Sequence, residues 1–292
     1  MRELRNSLGL YRFPIIAIAI AGGLLLFVPF LVMLSTSFTS GVFISFPPEG
    51  FSLQWYAEVV ADRRWTRPFW LSIGLSCVAT AIAVIIGVAG ALGLARITNP
   101  AAARSLRTLF IVPVALPPIA YAVGLYGVNA RSGPFGDTLG ALILGEALIA
   151  LPYVFVLVSA ALSRMDPALR SAASTMGAPW PMILWRVELP ILFPNIIAGA
   201  VFAFIIVFDE VVLSLFLLPA GQSTLPLKML DASREAFSPE LSAASSLVSL
   251  MALVVLGIAT LPWARWADAR KLARSVESTS SSDRDTRKAA AS

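Results

Sequence analysis

Residues 166–190 read DPALRSAASTMGAPWPMILWRVELP, a polar stretch punctuated by proline between two long apolar runs at residues 139–162 and 191–218. Asp166 is a helix-capping residue type, and Pro167 follows at the first helical position, where its missing N–H costs nothing. The pair predicts a helix start. Ala168, Leu169, Ala172, Ala173 and Met176 continue it with a weakly amphipathic pattern, and Gly177 stands where a left-handed terminator belongs. Pro179 and Pro181 enforce a break. A second short helix, from Pro181 to about Glu188, presents Met182, Ile183, Trp185 and Val187 before Leu189-Pro190 leads into the next apolar run. The stretch therefore predicts a compact helix-turn-helix projecting from whatever holds its two flanks.

Those flanks are two of six apolar windows, at residues 13–35, 69–95, 108–128, 139–162, 191–218 and 243–264. Each is at least as long as the ~20 residues that cross a bilayer core as an α-helix, which satisfies its own backbone hydrogen bonds. With 58% hydrophobic and 13% charged residues, the composition excludes a soluble globular domain. The fold class is all-α, a polytopic membrane protein of six transmembrane helices. Arg2, Arg5 and Arg12 precede the first window, but that run is too long for a signal-peptide core and no A-x-A site follows, so it reads as a retained span. The positive-inside rule sets the orientation. With the N-terminus inside, 16 of the 22 Lys and Arg fall on the cytoplasmic side, among them Arg96, Arg104, Arg107, Arg164, Arg170 and Arg186. The other side holds Arg63, Arg64, Arg67, Arg131, Lys228 and Arg234. An even span count places both termini in the cytoplasm, and residues 163–190 with them.

The formal charge of +5 does not point to nucleic acid, because the basic residues are scattered through short loops. One cysteine, Cys77, and no histidine remove disulfides and the usual zinc, haem, Ser-His and Cys-His chemistries. No G-x-x-x-x-G-K-[ST] phosphate loop precedes Lys228, Lys271 or Lys288, so the chain does not hydrolyse ATP and carries no cofactor of its own. Residues 36–68 carry Pro47-Pro48, Trp55, Tyr56 and Trp65, aromatics that suit an outer interface. Residues 219–242 mix charges with Leu227, Met229 and Leu230 and read as a short surface or re-entrant helix. Trp263 and Trp266 read as belt residues at the last span. The domain organisation is one transmembrane domain at 1–274, with the cytoplasmic loop at 163–190, and a Ser-rich, charged tail at 275–292 that is expected to be disordered.

The stretch at 166–190 also carries a resemblance. Ser171-Ala172-Ala173, three residues, Gly177, nine residues, Val187, one residue and Leu189-Pro190 resembles the EAA loop of ABC importer membrane subunits, EAA-x3-G-x9-I-x-LP. All spacings fit, with Ser171 for Glu and Val187 for Ile. Phe51-Ser52-Leu53-Gln54-Trp55-Tyr56, the run Phe208-Asp209-Glu210-Val211-Val212-Leu213-Ser214, and Leu225-Pro226-Leu227-Lys228 are similar to the C-type subunit of spermidine/putrescine permeases. The resemblance implies the type I ABC importer permease fold in a bacterial inner membrane and half of a translocation path for a small organic solute, a polyamine or related amine. It implies ATPase coupling through Asp166, Ser171, Ala172, Ala173, Gly177, Val187, Leu189 and Pro190. Its implied partners are a similar but distinct permease subunit, two ATP-binding subunits that hold ATP and Mg, and a periplasmic solute-binding protein received by residues 36–68 and 219–242. The subunit itself would be non-catalytic.

Ionisable residues inside a membrane mark functional sites by default. Asp209 and Glu210 in the fifth span and Glu146 in the fourth are the substrate-path candidates, since carboxylates facing a wet path attract a passing ammonium group. Asp209 and Glu210 would point about 100° apart on a helix, and Glu146 lies toward the outer end of its span. Each could instead hydrogen-bond a neighbouring helix or a partner subunit. Gly87, Gly90, Gly93 and Gly199 would let helices approach closely, and Pro113, Pro117 and Pro118 break the third span. Two rival classes stay open on the residues alone: a secondary transporter or channel driven by an ion gradient, and an intramembrane enzyme with only Asp209 and Glu210 to use.

Overall fold

The computed structural model of the chain describes residues 12–131, 139–235 and 238–257. The tail at 275–292, Trp263, Trp266, the basic residues from Arg265 onward, and Arg2 and Arg5 lie outside the described residues. Eleven helices are described, and the regular structure is otherwise one isolated bridge between Thr39 and Phe51. They are α1 (Arg12–Thr36), α2 (Gln54–Ala61), α3 (Arg63–Leu94), α4 (Pro100–Ala115), α5 (Pro118–Arg131) and α6 (Leu139–Ser163). After them come α7 (Pro167–Thr175), α8 (Trp180–Phe208), α9 (Val212–Leu217), α10 (Leu225–Glu235) and α11 (Pro239–Gly257).

Five of these, α1, α3, α6, α8 and α11, are long and apolar enough to cross a membrane singly; α4 and α5 pass together as a pair bent by 101°, a sixth when the pair counts as one broken span. The bend falls at Leu116 and Pro117, where the three prolines of the third window leave the ladder short of donors. α4 starts well before the apolar window at 108, because Asn99 accepts from the N–H groups of Ala101 (2.9 Å) and Ala102 (3.4 Å) with Pro100 at the first position. Arg104 and Arg107 therefore ride on a helix.

By chain contacts the molecule divides into two compact units, residues 1–70 with 227–250, and residues 71–226 with 251–292. In the first, the strand-like turn after α1 is closed by Ser52 N–H to Phe38 O at 2.7 Å. The Ser37 and Tyr56 hydroxyls meet at 2.6 Å, and Trp65 is buried. Two of the loop's aromatics, Tyr56 and Trp65, thus help to close this unit. α10 fulfils the expectation of a short helix in residues 219–242.

The second unit is built around α6, which is buried along most of its length from Leu142 through Val154, Phe155 and Val158 to Leu162. Small residues let its neighbours in. A Cβ on Gly87 of α3 would stand 3.0 Å from Val154 Cβ, and one on Gly199 of α8 would stand 3.1 Å from Val154 Cα. A Cβ on Gly90 would collide with the Phe110 ring, which stacks on Phe155 at 4.6 Å. Three of the four glycines singled out for close packing therefore act so; Gly93 faces open space. α9 packs through Leu213 and Leu217 against Leu75, Ala122 and Leu142.

Candidate functional site

The loop at 166–190 folds from its own local rules. Asp166 caps α7 by accepting from Ala168 N–H at 2.9 Å. Its far end closes with Gly177 at φ +81°, Gly177 N–H bonded to Ser174 O (2.9 Å) and Ala178 N–H to Ala173 O (3.1 Å). That pair of bonds is the Schellman arrangement, and it requires the left-handed residue that glycine supplies. Ala173 is buried beneath the turn, while Met176 and Trp185 stand out at 82% and 70% exposure, with Leu169, Trp180 and Met182 also exposed. Ser171, at the Glu position of the motif, donates to Pro167 O at 3.2 Å and so presents no charge outward. Val187 and Leu189 are half-buried and Pro190 is exposed.

The second half differs from the sequence expectation. It is not a separate short helix ending at Leu189-Pro190: residues 180–208 are one continuous helix. Leu184–Glu188 forms a single π turn, with Leu189 N–H reaching Leu184 O. Proline is expected to break a helix because it removes a donor; widening one turn upstream absorbs that loss without stopping the chain. The loop is thus rigidly continuous with the fifth span.

At the π turn sits a feature that the sequence reading does not single out. Glu188 is fully buried, with Arg170 Nη2 of α7 at 2.8 Å from Oε1 and Arg96 Nη2, just beyond α3, at 3.4 Å from Oε2. The Arg96 contact has hydrogen-bond geometry, whereas the shorter Arg170 contact is an ion pair whose angles do not make one. Arg96 also lies over the Trp180 ring, 4.4 Å from its centroid. One carboxylate thereby ties together the loop helix, the end of α3 and the root of α8. In the sequence Arg96 and Arg170 read only as topology signals, and a Glu beside an apolar window is the available hint.

The acidic candidates fall at the other end of α8. Helix α8 stops at Phe208, so Asp209 and Glu210 are not on a helix and the 100° relation does not apply. Asp209 closes α8 with its N–H on Ile205 O and is exposed. Glu210 turns back to cap α9, its Oε1 accepting from Val212 N–H (2.7 Å) and Leu213 N–H (3.0 Å). Glu146, expected at an interface, is instead 2% exposed, near the start of the buried face of α6, and its Oε2 has no partner. Leu213, whose N–H Glu210 caps, stands against Gly145, the residue beside Glu146. The structure thus brings the segments of Glu146 and Glu210 together and leaves Asp209 on the surface. Among the described residues no group of His, Cys, Asp and Glu could hold a metal ion.

Residues 79–272 match the family described as binding-protein-dependent transport system inner membrane component. The chain is 26% identical over 272 residues to the putrescine transport system permease protein PotI of Escherichia coli, covering 91% of this chain and 95% of that one. It is 31% identical over 204 residues to the molybdenum transport system permease protein ModB of Mycobacterium tuberculosis, covering 64% and 76%. Among solved structures it is similar in fold to a chain of a bacterial ABC transporter involved in the import of the acidic polysaccharide alginate. That match has a TM-score of 0.69 at 14% identity and covers 90% of this chain and 98% of the other.

Proposed function

This chain belongs to the family of binding-protein-dependent transport system inner membrane components, and on that premise we propose that it forms the amine-conducting half of an importer driven through the loop at 163–190. It is a non-catalytic, multi-pass permease subunit of an ABC importer. Such a subunit works with a partner permease, an ATPase and a periplasmic binding protein. The finer reading adds a distinct second permease, two ATPase copies, and an orientation with both termini and the loop in the cytoplasm. The sixteen-to-six distribution of basic residues supports that orientation.

The observation that carries the coupling reading is the stiffness of the loop together with its exposed apolar tip. A groove in the ATPase would grip Met176 and Trp185. Motion of α7 cannot be absorbed locally: the Schellman turn fixes its end, and Arg170–Glu188–Arg96 ties it to α3 and α8. Displacement then travels along α8 as a rigid element. It reaches α6 where Gly199 presses on Val154, and reaches Glu210 at the far end. In this reading Asp166, Ala172, Ala173, Gly177, Val187, Leu189 and Pro190 shape the lever, and Ser171 leaves docking to apolar contacts.

An organic amine as substrate is supported by the similarity to PotI and by the buried Glu146, whose unpartnered Oε2 an ammonium group would satisfy. The similarity to ModB sets up the opposing arm of the test. In the reconstituted complex with its binding protein, putrescine should stimulate ATP hydrolysis and molybdate should not; stimulation by molybdate alone would overturn the amine reading. Glu146→Gln and Glu210→Gln should each lower uptake with assembly intact, since in the second variant the new amide oxygen can still cap α9. Unchanged uptake in both would return these carboxylates to packing.

A further inference from the structure

A cavity of about 390 Å³ opens among the ends of α3 and α6, the first turns of α4 and the start of α7, close to the ion-paired root of the loop and far along the chain from the acidic group. Its volume falls within the ~300–1,000 Å³ of small-ligand clefts. Its polar lining consists of donors: Arg107, Arg170, Ser159 and Ser163, with no carboxylate. Three of these keep an unused donor, although Arg170 pairs with Glu188 through Nη2. Arg107 has no ion pair among the described residues. The Ser159 hydroxyl and Arg170 Nε are buried without a hydrogen-bond partner, an unfavourable state that a ligand acceptor would relieve. Ser163 is engaged, donating to Ser159 O at 2.9 Å.

The lining charges point the same way: both are guanidiniums, Arg107 and Arg170, and of the two only Arg170 has a carboxylate partner, Glu188. Leu94, Leu162 and Met165 make the rest of the wall apolar. Leu94 and Ser163 are the last residues of two helices long and apolar enough to cross a membrane, and on the orientation proposed above these are their cytoplasmic ends.

We propose that this cavity, lined by Arg107, Arg170 and Ser159, is a binding site for a phosphate-bearing anion, separate from the transport path, that steadies the root of the loop. Guanidinium pairs favour phosphate oxygens through bidentate, charge-assisted hydrogen bonds. Basic pockets between membrane helices on the cytoplasmic side accept anionic headgroups. The source is either the headgroup of an anionic phospholipid, whose glycerol and first methylenes would cover the apolar wall, or free phosphate.

The test uses the assembled transporter carried in detergent with phosphatidylglycerol, phosphatidylcholine or inorganic phosphate, read by native mass spectrometry and thermal stability. Phosphatidylglycerol should be retained in preference to phosphatidylcholine. Retention should fall about tenfold in Arg107→Gln, the loss of one charge-assisted contact, and less in Arg107→Lys. Ala103→Leu, which fills the cavity without changing charge, should also abolish retention, and it carries the test if Arg107→Gln fails to assemble. Stabilisation by millimolar phosphate, lost in the same variants, with no lipid retained, would assign the site to the free ion. No retention or stabilisation in the wild-type complex, or equal retention in Arg107→Gln and Ala103→Leu, overturns the proposal.

Discussion

Replacing Glu188 by Gln removes one charge and almost no volume from a fully buried position that two guanidiniums face. The cost follows from the surroundings of the pair. Exposed ion pairs contribute about 0–1 kcal/mol, and truncating one partner of a fully buried pair costs about 3–5 kcal/mol. Here the carboxylate is buried but the side chains of Arg96 and Arg170 are 35% and 36% exposed, so water screens one side of each contact. An intermediate cost of about 2 kcal/mol is expected for Glu188→Gln. Coulomb attraction falls inversely with separation, so the 2.8 Å and 3.4 Å contacts divide it almost evenly. Arg170→Gln alone should then cost about 1 kcal/mol. Once Glu188 is gone, Arg170 has lost its anion, so the double variant should cost no more than Glu188→Gln, a coupling of about 1 kcal/mol. Unfolding of the assembled complex in mixed micelles with increasing SDS measures these differences. Uptake per ATP hydrolysed measures the function, and it should fall in Glu188→Gln while hydrolysis continues, because a loosened lever turns over without moving the helices. Strict additivity of the two substitutions, or a wild-type ratio of uptake to hydrolysis, would refute the idea that this carboxylate carries motion.

Gly87→Ala should destabilise the complex by about 1–3 kcal/mol through overpacking against Val154, and Val154→Ala in the same chain should recover part of it, as read by thermal unfolding. Gly93→Ala, with nothing within 4 Å of the new methyl, should be neutral or stabilise α3 by up to about 1 kcal/mol in the same measurement. Gly177→Ala forces a Cβ into the left-handed region at φ +81°, costing about 1–2 kcal/mol locally, and should uncouple hydrolysis from uptake while leaving membrane insertion unchanged in a fractionation assay.

What could be read in advance divides by the range of the physics involved. Apolar length, charge asymmetry, and the capping chemistry of Asp166 and Gly177 are properties of a chain segment and its solvent. Hence six windows appear as five single helices and a bent pair, and α7 begins and ends where its residues dictate. Proline was legible as a disturbance but not as an outcome. Around Pro117 it gives a 101° bend, whereas before Pro190 it is taken up by one π turn. The least legible features are pairings across elements. Glu188 meets Arg170 and Arg96 from 18 and 92 residues away, and Gly145, beside Glu146, meets Leu213, whose N–H Glu210 caps, so no local pattern could announce either. A segment that folds by local rules can be a rigid lever, but a lever works only through its fulcrum. The buried carboxylate at 188 is the point at which the locally determined loop is bound to helices whose positions are set by packing.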